Sequence, residues 1–184
     1  MARVLVPLAQ GCEELEAVSI IDLLRRAGVE VVVAGLSQGP VTCSRGVVIM
    51  PDADLDDVLG DDFDMIVLPG GLPGADHLDA DARIRRLLKK MAEQDKFIAA
   101  ICAAPKVLAS AGLLQGKQAT SYPGVIDTMG LADTRYLDQP VVADGRVVTS
   151  RGPGTAMDFA LELIEKLLGA EQRQIVEASL MRPD

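Results

Sequence analysis

The chain has 184 residues, 49% of them hydrophobic, and a formal net charge of −9 at pH 7. This composition predicts a globular protein with one core, a single domain over residues 1–184, and excludes a disordered chain. The negative charge disfavours direct binding to nucleic acids and anionic membranes, and no apolar run reaches the roughly 20 residues that span a bilayer.

Strand-like and helix-like segments alternate along the chain. Helix 14–27 is predicted from apolar residues at every third position and from Gly28, which is a typical residue after a helix end. A turn at Asp144-Gly145 predicts a hairpin within VVADGRVVTS. The predicted elements are, in order, strand 3–8, helix 14–27, strand 29–36, a hairpin over 42–50 outside the main sheet, strand 63–68, helix 82–94, strand 97–101, the hairpin over 141–150, helix 155–168 and helix 172–180. This alternation predicts an α/β fold, with a largely parallel sheet and helices on both faces.

The cysteines and the histidine bear on the cellular compartment and on metals. Three widely spaced cysteines suit a reducing compartment better than a disulfide framework, and the start of the chain, MARVLVPLAQ, is interpreted as a first strand rather than a signal peptide. We therefore expect a cytoplasmic protein. With a single histidine and no CxxC pair, no metal site is expected.

One cysteine, Cys102, lies in FIAAICAAP, where the apolar strand 97–101 meets an alanine-rich helix that Pro105 is predicted to open. Binding sites in parallel sheets form beyond the carboxyl ends of the strands, so loops 10–16, 70–76 and 102–104 are expected to meet there. A tight strand-to-helix turn would expose the sulfur, and the helix N-terminus would favour its thiolate. The pattern is equally compatible with a small buried side chain.

Other candidate residues are less informative. Cys12 and Cys43 do not lie at such an elbow and are interpreted as buried thiols, and His77 as a surface histidine. The glycine-rich segments PGGLPGAD and SRGPGT lack phosphate-loop spacing and are interpreted as tight turns. Three carboxylates near a helix start could serve as acid or base, and their spacing does not distinguish them: Glu13, Glu14 and Glu16.

Six motifs occur in an order that resembles a known family: GCEELEAV, AGL, TCSRGVVI followed by PDA, VLPGG, AAICAAP and TSRGPGTAMDFAL. The chain is similar over its whole length to the ThiJ/PfpI superfamily, and within it to the DJ-one branch with its YajL-type bacterial relatives. The resemblance implies a flavodoxin-like three-layer sandwich and a homodimer. It also implies glutathione-independent glyoxalase activity, deglycation of proteins and nucleotides (a disputed assignment), redox sensing and chaperone activity.

The same resemblance assigns roles to residues. Cys102 becomes the oxidation-prone nucleophile and Glu16 its partner, which must be protonated because a carboxylate beside a thiolate raises the pKa of both. The backbone N–H groups of Gly71 and Ala103 match oxyanion-binding positions. Arg26 and Arg45 match arginines near the family's dimer interface, where they would hold anions.

Three departures from the family pattern limit what is carried over. Ala103 stands where protease-like members have histidine, so a Cys-His protease is not expected. Tyr122 precedes Pro123 where the DJ-one protein has a histidine, and neutral tyrosine is a poor base near pH 7. Met50 replaces a second oxidisable cysteine, which leaves Cys102 as the main redox group.

Two hypotheses follow. In the first, the chain is a cofactor-free glyoxalase or deglycase that acts on small reactive dicarbonyls or glycated substrates, with slow turnover because Tyr122 replaces the histidine. In the second, it is a non-enzymatic redox sensor or chaperone that acts through oxidation of Cys102.

Overall fold

The computed structural model describes residues 1–182, and the last two residues of the predicted domain lie outside them. A seven-stranded sheet forms its centre, in the order β10-β11-β7-β6-β1-β2-β5. Its neighbouring strands are parallel except for β10 and β11. The strands are β1 (Arg3–Leu8), β2 (Glu30–Gly35), β5 (Ala53–Asp54), β6 (Met65–Leu68), β7 (Phe97–Ile101), β10 (Val141–Asp144) and β11 (Val147–Ser150).

Two small ladders lie outside this sheet. The antiparallel pair β3 (Val41–Thr42) and β4 (Val48–Ile49) is the hairpin predicted over 42–50. A parallel pair, β8 (Gln118–Ala119) and β9 (Arg135–Tyr136), was not predicted. Because β8 and β9 have two residues each and are far apart in the chain, their pattern is too short to be recognised from sequence.

Helices cover both faces of the sheet and separate the core into two layers. The helices are α1 (Glu14–Arg26), α2 (Leu55–Val58), α3 (Gly74–Ala80), α4 (Ala82–Glu93), α5 (Pro105–Ser110), α6 (Ala156–Leu168) and α7 (Ala170–Ser179). Alternate residues of β1 point to opposite faces: Val4 and Val6 pack in the layer that holds α1 and α6, and Leu5 in the layer that holds α4 and α5. The predicted three-layer flavodoxin-like sandwich is therefore confirmed.

Local sequence signals explain most helix boundaries. Helix α1 ends because Gly28 adopts a left-handed conformation, with φ of 81°, and its N–H donates to the Arg25 carbonyl at 3.0 Å. Helix α4 begins at the Asp81 cap, whose carboxylate accepts the Arg83 N–H at 2.8 Å. Among residues 1–182, no helix is long and apolar enough to cross a membrane.

The apolar repeat that predicted α1, formed by Leu15, Val18, Ile21 and Leu24, marks the buried face only at Leu24. Leu15 and Val18 are 52% and 49% exposed, whereas Ile20 and Leu23 are buried. Helix α1 therefore presents an apolar stripe to solvent as well as one to the core.

Candidate functional site

Strands β7, β6 and β1 are adjacent in the sheet, so the loops at their carboxyl ends lie side by side. Cys102 follows β7 directly and has φ of 64°, the left-handed region, which costs a residue with a side chain roughly 1–3 kcal/mol. The Cys102 N–H donates to the Ser150 carbonyl at 3.0 Å, and the Cys102 carbonyl accepts the Tyr122 N–H at 2.9 Å. These two hydrogen bonds hold the strained elbow in place, and the Cys102 side chain remains partly exposed.

Glu16 lies beside this elbow on the first turns of α1. Its side chain is completely buried, and its Oε2 accepts the Gly70 N–H at 2.8 Å. Its Oε1 is also buried and makes no hydrogen bond of ordinary geometry with residues 1–182. A buried carboxyl oxygen without a partner is costly, and a proton on it that points at the neighbouring sulfur removes that cost.

Gly70 is the residue at this site that sequence reasoning missed. A Cβ atom on Gly70 would lie 2.7 Å from Cys102 Cβ and 2.8 Å from Glu16 Oε2, so only glycine fits between the two side chains. The signal was present in the PGG sequence after β6, but two consecutive glycines do not reveal which of them makes the close approach.

Backbone N–H groups face the sulfur from two loops. Those of Gly71 and Ala103 lie close enough to the sulfur to lower the pKa of the Cys102 thiol. Gly71 has φ of 84°, and a Cβ there would lie 2.4 Å from the Glu13 nitrogen, so this position also requires glycine. The structure thus brings together Cys102, Glu16, Gly71 and Ala103, four of the predicted site residues.

The sequence predicted that the helix N-terminus favours the thiolate of Cys102. The pKa values of Cys102 and Glu16 contradict this prediction. Burial, and then the negative charge of the adjacent Glu16, raise the pKa of the Cys102 thiol to about 12 and outweigh the two N–H groups. Burial likewise raises the pKa of Glu16 to about 7, against the lowering effect of the Gly70 N–H. Near neutral pH the Cys102 thiol is therefore protonated and Glu16 is partly protonated, and a reactive thiolate forms when the thiol proton passes to an ionised Glu16.

Tyr122 adjoins the elbow through its backbone and is 52% exposed. It lines a cavity of about 490 Å³ together with Pro123 and the segment 151–155. Arg151 at this cavity pairs with Asp138 at 2.9 Å. A different cavity, of about 550 Å³, lies at the amino ends of β7 and β11 and is remote from Cys102.

The two predicted arginines are not brought to the sulfur. Arg26 pairs with Asp22 at 2.7 Å on the exposed side of α1. Among residues 1–182 the Arg45 guanidinium donates only to the Ser44 carbonyl, at 3.4 Å, and the Arg45 backbone N–H donates to Glu14 Oε1 at 2.9 Å. The anion-binding role of Arg26 and Arg45 at a dimer interface stays a prediction.

The structure also defines the surroundings of the other acid, base and thiol candidates. Burial alone would raise the pKa of Glu14, but hydrogen bonds from the backbone and from Ser44 lower it, so Glu14 is a carboxylate that anchors the β3-β4 turn. His77 is exposed, with Nδ1 3.0 Å from the Gln10 carbonyl oxygen. Cys12 and Cys43 are buried, as interpreted from the sequence.

The sequence also matches a known family model. The model described as the DJ-1/PfpI family matches residues 2–166, which is most of the chain. The chain belongs to this family.

Individual family members are similar over nearly their whole length. The Parkinson disease protein 7 homolog of Danio rerio is 44% identical, with 99% of this chain and 98% of the relative covered. The glutathione-independent glyoxalase DJR-1.2 of Caenorhabditis elegans is 41% identical, with 99% and 94% covered. Among solved structures, oxidized Toxoplasma gondii DJ-1 is 45% identical with a TM-score of 0.95, and both chains are covered completely. The predicted resemblance to this family is therefore confirmed.

Proposed function

We propose that this DJ-1/PfpI member is a cysteine-dependent, glutathione-independent glyoxalase that converts methylglyoxal to lactate. The observation that carries the proposal is the buried Glu16 carboxyl beside Cys102: its Oε2 accepts the Gly70 N–H, and its Oε1 has no other hydrogen-bond partner among residues 1–182. A buried carboxyl with a pKa of about 7 is suited to accept and return a proton near neutral pH. The C. elegans relative that is named a glyoxalase supports the same reaction class.

The reaction begins when Cys102 gives its proton to Glu16 and the sulfur adds to the aldehyde carbon of methylglyoxal. The resulting hemithioacetal oxyanion lies near the Gly71 and Ala103 N–H groups, which stabilise its charge. Glu16 returns its proton to this oxyanion, and the resulting carboxylate removes the proton from the first carbon, which gives an enediolate. A proton passes from the first oxygen to the second, and Glu16 returns the carbon-derived proton to the second carbon, which gives a lactate thioester. Hydrolysis of the thioester by water releases lactate and the free thiol. No cofactor takes part in these steps.

Turnover is expected to be slow, because one group moves every proton. Tyr122 lines the cavity beside the elbow, but its phenol does not serve as a base near pH 7. A glycated substrate that presents a hemithioacetal or an aminocarbinol could be attacked at the same sulfur, and this is how deglycation would arise.

The experiment is to measure lactate formation from methylglyoxal by the reduced protein and its variants. Cys102→Ser is expected to abolish lactate formation, and Glu16→Gln to reduce kcat by about 10²–10⁴-fold while the fold is retained. Cys43→Ser and Glu171→Gln, which change the same residue types elsewhere, should keep full activity. Full activity of Glu16→Gln would contradict the role of Glu16.

The alternative function is a redox sensor or chaperone that acts through oxidation of Cys102. The same sulfur faces two N–H groups and a protonated Glu16, which would also stabilise a sulfinate. No lactate from the wild type, combined with selective oxidation of Cys102 by peroxide, would favour this function. Oxidation of Cys12 or Cys43 before Cys102 would contradict it.

We further propose that the chain acts as a homodimer in the cytoplasm, as the family resemblance implies. Large apolar side chains are exposed on α1, at Leu15 and Val18, and on and just after the β3-β4 hairpin, at Val48 and Met50. Val18 and Met50 line one shallow groove of about 240 Å³. Large apolar side chains clustered on a surface typically mark a contact with another chain.

A further inference from the structure

The structure contains a second thiol site, distinct from Cys102. We propose that Cys12 and Cys43 form an intramolecular disulfide when the protein is oxidised. Their Sγ atoms are 3.6 Å apart although the residues are separated by 31 positions in the chain. Both side chains are buried, Cys12 completely and Cys43 with 4% exposed. The proposal is independent of the proposed enzymatic function.

The backbone around the two cysteines is already placed for a disulfide. The Gly11 N–H donates to the Thr42 carbonyl and the Ser44 N–H to the Cys12 carbonyl, both at 2.8 Å. These hydrogen bonds flank the cysteines and keep the two segments adjacent, with the sulfurs facing each other at 3.6 Å. A disulfide has an S–S distance of about 2.05 Å, so its formation requires the sulfurs to approach by roughly 1.5 Å, which we expect rotation of the two side chains to supply.

Burial determines how fast the two thiols are oxidised and which of them reacts first. It raises the pKa of both thiols, so each is protonated at neutral pH and reacts slowly. Cys43 is the more exposed and lies beside the exposed turn at Arg45 and Gly46, so it meets the oxidant first.

The oxidant in this proposal is a peroxide. The Cys43 sulfur, having lost its proton, attacks one peroxide oxygen, the O–O bond breaks, and a sulfenic acid and water form. The Cys12 sulfur then displaces the hydroxyl as a second water. Two thiols and one hydrogen peroxide thus give one disulfide and two waters.

The disulfide would fix a segment that supports the Cys102 site. The Glu13 N–H donates to the Gly70 carbonyl at 2.9 Å, and the Gly74 N–H to the Gly11 carbonyl at 3.3 Å. Segment 11–13 therefore packs directly behind the loop that carries the Gly71 N–H. The bond would join this segment covalently to the β3-β4 hairpin, as a reversible oxidation separate from that of Cys102.

The test uses the Cys102→Ser variant, in which only Cys12 and Cys43 can react. The protein is treated with hydrogen peroxide, denatured with excess alkylating reagent and weighed by intact mass spectrometry. We expect no alkyl group on the oxidised monomer, two after reduction, and a peptide map that links Cys12 to Cys43. Controls with Cys12→Ala or Cys43→Ala in the same background should form no intramolecular bond.

A second measurement removes the kinetic barrier of burial. The Cys102→Ser variant is refolded from urea in a glutathione redox buffer, and the same bond is expected in the folded fraction. Its Tm should exceed that of the reduced protein by roughly 10 °C, because the crosslink restricts the unfolded chain. Two free thiols after both treatments, or bonds between chains only, would overturn the proposal.

Discussion

Glu14 and Glu16 are two residues apart on the same helix and have opposite electrostatic environments. Glu14 accepts N–H groups from Arg45 and Val47, which hold its pKa below the ordinary value of a glutamate although burial acts in the other direction. Glu16 accepts a single N–H group in a fully buried position, and burial raises its pKa to about 7. The number of donors that each carboxyl meets therefore separates a structural anion from a group that can exchange a proton.

Glu16→Gln should change how stability depends on pH. A carboxyl whose pKa rises from 4.5 to about 7 on folding stabilises the protein fully below pH 4.5, and this contribution is lost as the pH rises through 7. The stability of the wild type relative to Glu16→Gln should thus fall by about 3 kcal/mol between pH 4 and pH 8. Urea unfolding of both proteins at several pH values measures this difference. A difference that does not vary with pH would show that folding does not raise the pKa of Glu16.

At the scale of elements, long segments were predictable from sequence and short ones were not. Strand β7 and the α5 start at Pro105 lie where the apolar run and the proline placed them, because buried parallel strands and helix starts have strong local signals. Helices α2 and α3 and the strands β5, β8 and β9 were missed, since their short patterns resemble those of loops.

In the candidate site, too, some features follow from local sequence patterns and others do not. The position of Cys102 at an elbow follows from the strand and helix on either side of it. The choice among three glutamates came only from the family resemblance, and the role of Gly70 and the raised pKa of Cys102 depend on contacts between loops that are distant in the chain. Such contacts leave no periodic signal.

Glu14→Gln should loosen the β3-β4 hairpin from α1. The Glu14 carboxylate accepts the Arg45 N–H at 2.9 Å and the Ser44 hydroxyl at 3.2 Å, and a neutral amide replaces these charge-assisted hydrogen bonds with weaker ones. We expect a loss of about 1–2 kcal/mol at pH 7. Because the pKa of Glu14 is lowered by folding, its contribution should disappear as the pH falls, which is the opposite direction to Glu16.

Hydrogen exchange and urea unfolding at pH 7 and at acid pH check this prediction. Amide protons of the segment 43–47 should exchange faster in Glu14→Gln, with those of β7 unchanged. A difference in stability that persists at acid pH would contradict an ionic anchor. Glu171→Gln, a change of an exposed glutamate on α7, is the matched control.

At the scale of the whole molecule, the candidate site and the exposed apolar surface share helix α1 and the β3-β4 hairpin. Helix α1 carries Glu16 on its buried side and Val18 on its exposed side. The hairpin that Glu14 anchors carries Met50 next to the same surface. A second chain bound to this surface would therefore press on the helix and hairpin that hold the site, which links assembly to the position of Glu16.

Val18→Asp should separate the proposed homodimer. In a symmetric dimer the substitution buries two unpaired carboxylates at one interface, a cost on the order of 3 kcal/mol or more, which is at least a hundredfold weaker association. Sedimentation analysis should change from the mass of two chains to that of one. Ile175→Asp, a substitution at a comparably exposed side chain on α7, should leave the dimer intact. If the wild type sediments as a single chain at all concentrations tested, the apolar surface is not a dimer interface, and its exposure on α1 requires a different partner.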